Sequence, residues 1–309
     1  MNHAMSPDQC KLVIDKASME APLHYIEQGQ HVFAILDACD SNIIADKVHK
    51  ASQTSFVSLY KGKAETEFSA FAPYVTLCNS ETIAWIEQNL YGSYWGYYLV
   101  AATSCSLKEM RRHLRNFLMV CGPEGKQLYL RFYDPRIILP FLEASDSHQR
   151  DAFFGPCGLF LVEENEVMTS IALDRKLIQT GHQTKSTPLH LSQLHLESFV
   201  ADKRRRFVID ICGKVADKHA EDIARLSIGD DELPQVVIRT MLKSESYGIV
   251  GAKDIELFVI CMLKLGIDFD TDEKLGWPKE TFARTDIDGT EKMDICFDKL
   301  TEHGIEADV

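Results

Sequence analysis

Apolar and polar positions alternate differently in the two halves of the chain. His31-Val32-Phe33-Ala34-Ile35-Leu36-Asp37 is a short apolar run closed by an acid, which predicts a buried strand. Further strands are predicted at Phe56–Tyr60, Tyr74–Leu77, Tyr97–Val100, Gln127–Tyr133 and Leu159–Val162. Helical spacing lies between them. Ser80 offers a cap before Ile83, Ile86 and Leu90, and Ser106 precedes Leu107, Met110, Leu114, Phe117 and Leu118 at intervals of three and four. In Leu128–Tyr133 strict alternation puts Leu128, Leu130 and Phe132 on one face and Tyr129, Arg131 and Tyr133 on the other. Asp134-Pro135 then ends the strand, with Pro135 near the first position of a helix through Arg136-Ile137-Ile138-Leu139.

Strands alternating with helices of this length predict an α/β layer domain on a mixed sheet. The pattern lapses over 174–190, where Gln179 to Pro188 is polar and without period, the expected domain boundary. Beyond it Leu194, Phe199, Phe207, Val208 and Ile211, then Leu233 to Leu242, then Ile255, Phe258, Val259, Met262 and Leu263 read as amphipathic helices. The expectation is an N-terminal α/β domain over 1–175 followed by a smaller, mainly helical lobe over 190–309. A length of 309 residues fits two cores.

Charge narrows the classes of partner. The formal net charge is −13, and both halves are acidic, so neither carries the basic excess that a phosphate backbone demands. The one basic run, Lys203-Arg204-Arg205-Arg206, spreads around a helix instead of forming a stripe. No nucleic-acid partner is expected. Neither a signal segment in Met1–Lys16 nor an apolar run near 20 residues is present, which predicts no membrane insertion and a cytoplasmic location. Nine scattered cysteines without a C-x-x-C pair read as free thiols rather than as zinc ligands or disulfides.

Local signatures of chemistry mostly fail. Asp268-x-Asp270-x-Asp272 begins like a calcium loop, but Glu273 holds the glycine position and Lys279 the bidentate one. Asp286-x-Asp288-Gly289 has Arg284 where a first ligand is needed. The chain lacks G-x-S-x-G, P-loop, G-x-G-x-x-G and H-E-x-x-H motifs. These absences predict a protein without catalysis, cofactor or metal. The competing reading is a hydrolase or transferase whose strand-end site uses Asp37, His113 and Arg131, since strand ends of α/β sheets face ligand crevices.

Arginine and aromatic residues, the types enriched at protein interfaces, crowd one stretch: Trp85, Tyr91, Tyr94, Trp95, Tyr97, Tyr98, Arg111, Arg112, Arg115, Tyr129, Arg131, Tyr133 and Arg136. Trp95, Arg111, Arg115, Arg131, Tyr133, Asp134 and Arg136 are the candidate partner-binding residues. Internal pairing of these arginines with Asp134 or Glu109 is the competing structural explanation.

Phe33-Ala34-Ile35-Leu36-Asp37-Ala38, Ala72-Pro73-Tyr74, Trp95-Gly96, Ser106-Leu107 with Arg112-His113-Leu114-Arg115, Leu130 to Arg136, and Phe154-Gly155-Pro156 follow one another in order. Over roughly residues 30 to 160 this set resembles the type VI secretion effector chaperone or adaptor family of bacteria, a domain of unknown function encoded beside spike proteins of the VgrG type. The resemblance implies a non-catalytic adaptor. Its partners would be a cognate effector protein and the VgrG-type spike onto which that effector is loaded. It also implies an α/β lobe followed by a more variable helical lobe, and it does not reach 190–309.

Overall fold

The computed structural model describes residues 10–51, 55–175 and 189–305. The chain divides into two compact units, 1–202 and 203–309.

In the first unit the elements run β1 (Cys10–Ala17), α1 (Ala21–Glu27), β2 (His31–Asp37), α2 (Asn42–Lys50), β3 (Phe56–Ser58), α3 (Lys63–Glu67), β4 (Pro73–Leu77), α4 (Ser80–Asn89) and β5 (Gly96–Ala101). They continue with α5 (Leu107–Arg115), β6 (Met119–Cys121), β7 (Gln127–Tyr129), α6 (Pro135–Ala144), α7 (Ser147–Phe154), β8 (Cys157–Glu164) and β9 (Val167–Arg175). A seven-stranded sheet in the order β1-β9-β8-β5-β2-β4-β3 forms the middle layer.

The α/β lobe is as the patterning predicts, but its sheet is antiparallel at every pairing instead of mixed. Alternating strands and helices do create parallel relationships here, though not between neighbours. β2 and β3 run the same way with β4 between them, and β4 and β5 run the same way with β2 between them. Two strand-helix-strand units are split and interleaved, so each fills the other's gap with an antiparallel strand.

Central strand β2 is buried from Val32 to Asp37. Phe33 and Ile35 enter a core with Met110, Leu114, Ile138, Phe141 and Phe153, from α5, α6 and α7. Val32, Ala34 and Leu36 face a second core with Ile44, Ile83 and Ile86, from α2 and α4. Helices therefore cover both faces, which is why β2 reads as an unbroken apolar run.

Local details correct the sequence reading in places. The side chain of Asn79, not Ser80, accepts the Thr82 amide at the start of α4. The strand expected over Gln127–Tyr133 stops at Tyr129 and pairs only with β6, in a separate two-stranded sheet. Leu130 and Phe132 are buried beyond it, without a ladder. The expected start of α6 holds: Asp134 caps it, and Pro135 fills an opening position where no amide is needed.

Residues 176–188, the core of the expected linker, lie outside the described residues. The chain after them does not go directly into the second core. Leu189 and Leu191 exchange backbone bonds with Cys121 and pack in the first unit, and Phe199 packs there too. Residues 189–202 therefore count with the first unit, and the division falls inside the long helix α8 (Gln193–Lys218).

The second unit is helical, with α9 (Ala220–Arg225), α10 (Leu233–Ser246), α11 (Ala252–Leu265), α12 (Trp277–Ala283) and α13 (Gly289–Glu302). Its centre is α11. Every residue from Ile255 to Leu263 is buried, so this helix is enclosed on all sides and not amphipathic as its periodicity suggests. Among the described residues no helix is long and apolar enough to cross a membrane.

Candidate partner-binding surface

The candidate arginines divide into two kinds according to what holds them. Arg111 and Arg115 stand one turn apart on α5, whose first turn is fixed by a capping box between Ser106 and Glu109. Arg111 donates through Nε to the Ser58 carbonyl at 2.7 Å and through Nη2 to the Tyr60 carbonyl at 2.9 Å. Arg115 donates to the carbonyls of Leu59 at 2.6 Å and Tyr60 at 2.9 Å. Together they clamp the backbone that follows β3. Arg111 also reaches Glu65 at 3.2 Å, while Glu109, the expected acid, is engaged by Ser106. These two guanidiniums are joints of the fold.

Arg131 and Arg136 are each held by a buried acid and are partly exposed. Asp37, at the end of β2, has a fully buried side chain, and Arg131 Nη2 meets its Oδ2 at 2.5 Å. Burial pushes the Asp37 carboxyl above its usual range, against the bonds from Arg131 and from the Cys39 amide. Burial also disfavours the Arg131 charge, but the bond and charge of Asp37 outweigh it and raise that group's pKa. The two side chains are joined as a salt bridge. Arg136 lies across Asp134, donating to Oδ1 at 2.8 Å and to Oδ2 at 2.7 Å, a two-point pairing suited to a planar guanidinium. Its guanidinium carbon also sits 4.4 Å from the centre of the Tyr94 ring. Side-chain exposure is 36% for Arg131 and 34% for Arg136.

The aromatic candidates are mostly core. Trp95, Tyr97, Tyr98 and Tyr133 are buried, which corrects the interface role given to Trp95 and Tyr133; Asp134 is buried beneath Arg136. Trp95 donates its indole N–H to buried Glu163 at 3.2 Å, and its carbonyl accepts the Asp37 amide at 2.8 Å. It thereby seats the end of β2. Gly96 follows with φ of 133°, and a Cβ there would collide with the Ile35 carbonyl, so β5 can cross β2 this closely only through glycine. The hydroxyls of Tyr60, Tyr129 and Tyr133 form a chain with 3.0 Å steps, and Arg131 lies 5.9 Å from the Tyr133 ring. The clamped loop and the Asp37–Arg131 pair are thus parts of one connected polar seam.

Beside this seam stands an apolar surface that sequence reasoning missed. Phe68 precedes and Phe71 closes a short 3₁₀ turn, Ser69–Phe71, which lies against the turn Ala38–Asp40 directly after Asp37 and against α2. Phe68 is 52% exposed, Phe71 56%, and Ile43 on α2 49%. Tyr94, under Arg136, is also exposed. The segment Lys61-Gly62-Lys63-Ala64-Glu65-Thr66-Glu67 before Phe68 is polar, and no apolar period runs through it. Two phenylalanines without helical or strand partners were the available signal.

The residues of the enzymatic alternative do not assemble. Asp37 and Arg131 pair with each other, whereas His113 donates through Nε2 to the Phe153 carbonyl at 2.8 Å, on α7. Burial lowers the His113 pKa, and its ring occupies the space that a Cβ on Gly155 would need. The acidic triplet is equally divided. Asp270 is buried, 2.6 Å from Lys243 Nζ and 2.7 Å from the Tyr247 hydroxyl, while Asp268 is exposed and Asp272 accepts the Lys274 amide. In the basic run Arg204 pairs with Glu245 at 2.8 Å. Among the described residues no group of three or more His, Cys, Asp or Glu gathers to hold a metal.

No curated protein and no solved structure matches the chain. Residues 32–152, from β2 through most of α7, match the family model described as a domain of unknown function (DUF4123).

Proposed function

We propose that this chain is a non-catalytic adaptor of bacterial type VI secretion, which binds an effector protein in the cytoplasm and helps load it onto a VgrG-type spike. The matched span, 32–152, coincides with the stretch of about 30–160 on which the resemblance to the effector adaptor family rests. The observation that carries the reading is the surface at the end of β2. Exposed Phe68 and Phe71 sit on a turn packed against Ala38–Asp40 and against α2, which carries exposed Ile43; Asp37, just before that turn, holds Arg131, and exposed Tyr94 lies against Arg136, which pairs with buried Asp134. Protein recognition draws on such a combination, with apolar anchors for burial and oriented donors for carbonyls or carboxylates. Arg131 and Arg136 are already fixed, so little side-chain entropy is lost when they donate to a partner.

Deleting the gene in its native host tests the proposal. The cognate effector should vanish from the secreted fraction, and the spike should still be secreted. Undiminished effector secretion in the deletion strain would refute the loading role.

A further inference from the structure

The seven-stranded sheet has two unlike edges. At one side it ends in β3, three residues long, which offers few rungs to an added strand. At the other it ends in β1, eight residues long and paired with β9 over its whole length. Among the described residues no backbone hydrogen bond joins the outer side of β1 to another segment. Lys11, Val13, Ile14, Asp15 and Lys16 are all exposed, Val13 and Ile14 at 41% each. An unpaired row of amides and carbonyls with apolar side chains on both faces is a template for one more strand.

We propose that the strand added there is β1 of a second copy, in antiparallel register centred on Val13, giving a two-fold symmetric dimer whose sheets join into one. Charge complementarity selects both the occupant and the register. Facing residues of an antiparallel pair must direct their backbone groups the same way, so in a symmetric pair the two-fold axis falls on a residue and not between two. Centring on Val13 sets Lys11 against the partner's Asp15, Leu12 against the partner's Ile14, and Val13 against its own copy. Every facing pair within Lys11–Asp15 is then either apolar or oppositely charged. Centring on Leu12 leaves Lys11 facing Val13, and centring on Ile14 sets Val13 against Asp15 and Leu12 against Lys16. Centring on Asp15 opposes two acids. Lys11 also faces Asp174 on β9, so its rung runs acid, base, acid across the junction.

Sedimentation velocity on the full chain, from low to high micromolar concentration, tests this with a charge swap. The wild type should dimerise. Asp15→Lys, whose β9 neighbour is only Ser170, makes two rungs repulsive at once and should raise the dimer dissociation constant about tenfold or more. Lys11→Asp should act in the same direction, and the double variant Lys11→Asp/Asp15→Lys should recover the dimer. Both positions are exposed, and circular dichroism verifies that the variants stay folded. Under mild oxidation Val13→Cys should cross-link between copies faster than Ile14→Cys, because only position 13 faces itself. A wild-type monomer throughout the range, or a dimer indifferent to Asp15→Lys, would overturn the proposal. Equal cross-linking at positions 13 and 14 would overturn the register.

Discussion

Asp37 and Arg131 show how one pair can serve both the fold and a surface. The carboxylate is fully buried and the arginine side chain partly exposed, so removing the arginine leaves a buried charge without its partner. Arg131→Ala should lower stability by roughly 2–3 kcal/mol, less than for a fully enclosed pair because water reaches the arginine side. The deficit should be pH-dependent, with a sign opposite to that of an ordinary paired acid. Burial holds the Asp37 carboxyl above its ordinary 3.8, and without Arg131 it rises further. The folded state then takes up the proton at higher pH than the unfolded state, so the variant should recover stability relative to wild type as pH falls through that folded value. Urea midpoints of both proteins from neutral to mildly acidic pH check this. A constant deficit would show that the lost contact, not the stranded charge, is responsible.

His113 has the opposite sign. Its folded pKa lies below the ordinary 6.5, so its contribution is complete above that value and is lost as pH falls through 6.5 toward the folded pKa. Buried His195 is lowered in the same direction. Replacing His113 with Gln should therefore flatten part of the acid limb of the stability curve. Gly155→Ala tests the same joint sterically. At φ of 49° and against the His113 ring, alanine should cost about 2 kcal/mol or more, read as a lowered melting temperature.

At the scale of elements, the motifs of the resemblance turn out to be joints. Arg115 grips the loop after β3, His113 meets Phe153 beside Gly155, Trp95-Gly96 seats β5 on β2, and Asp134-Pro135 starts α6. Arg111→Ala and Arg115→Ala should therefore lower the melting temperature, because each removes two charge-assisted bonds, worth about 1.5–3 kcal/mol apiece, and frees one carbonyl outright, Ser58 or Leu59, while the Tyr60 carbonyl keeps the other arginine. Unchanged melting in both variants would contradict the clamp.

Much of the element plan was legible because burial imposes a period. β2, β4, β5 and β8 stand in or near the middle of the sheet, and their apolar runs mark them. The capped, periodic α5 and the Asp134-Pro135 start of α6 are equally plain. β1 and β9 were not legible, since the edge strand β1 mixes Lys11, Asp15 and Lys16 with apolar residues on both faces. Aromatic density in the sequence did not separate core from surface either. Trp95 and Tyr97 look like interface residues but are enclosed by pairings distant in sequence, and Phe68 and Phe71 are exposed because the short helix before them buries nothing.

For the whole molecule, the two proposals fall on different surfaces of the first unit. The end of β2 carries the fixed arginines beside exposed phenylalanines, while the β1 edge stands at the opposite margin of the sheet from β3. Nothing in the sequence signalled that residues 189–202 return to the first unit, because their partner Cys121 lies almost seventy residues earlier, and strand pairing over such a separation leaves no local period.

The adaptor account is tested most directly by titrating the purified cognate effector into the wild-type chain and into the Phe68→Ser/Phe71→Ser variant, with melting temperatures taken on the same samples. Both side chains are more than half exposed, so the variant should melt like the wild type. The wild type should form a stable complex, and loss of two aromatic anchors should weaken it at least about tenfold. No complex with the effector, or equal affinity in the two proteins, would contradict the account.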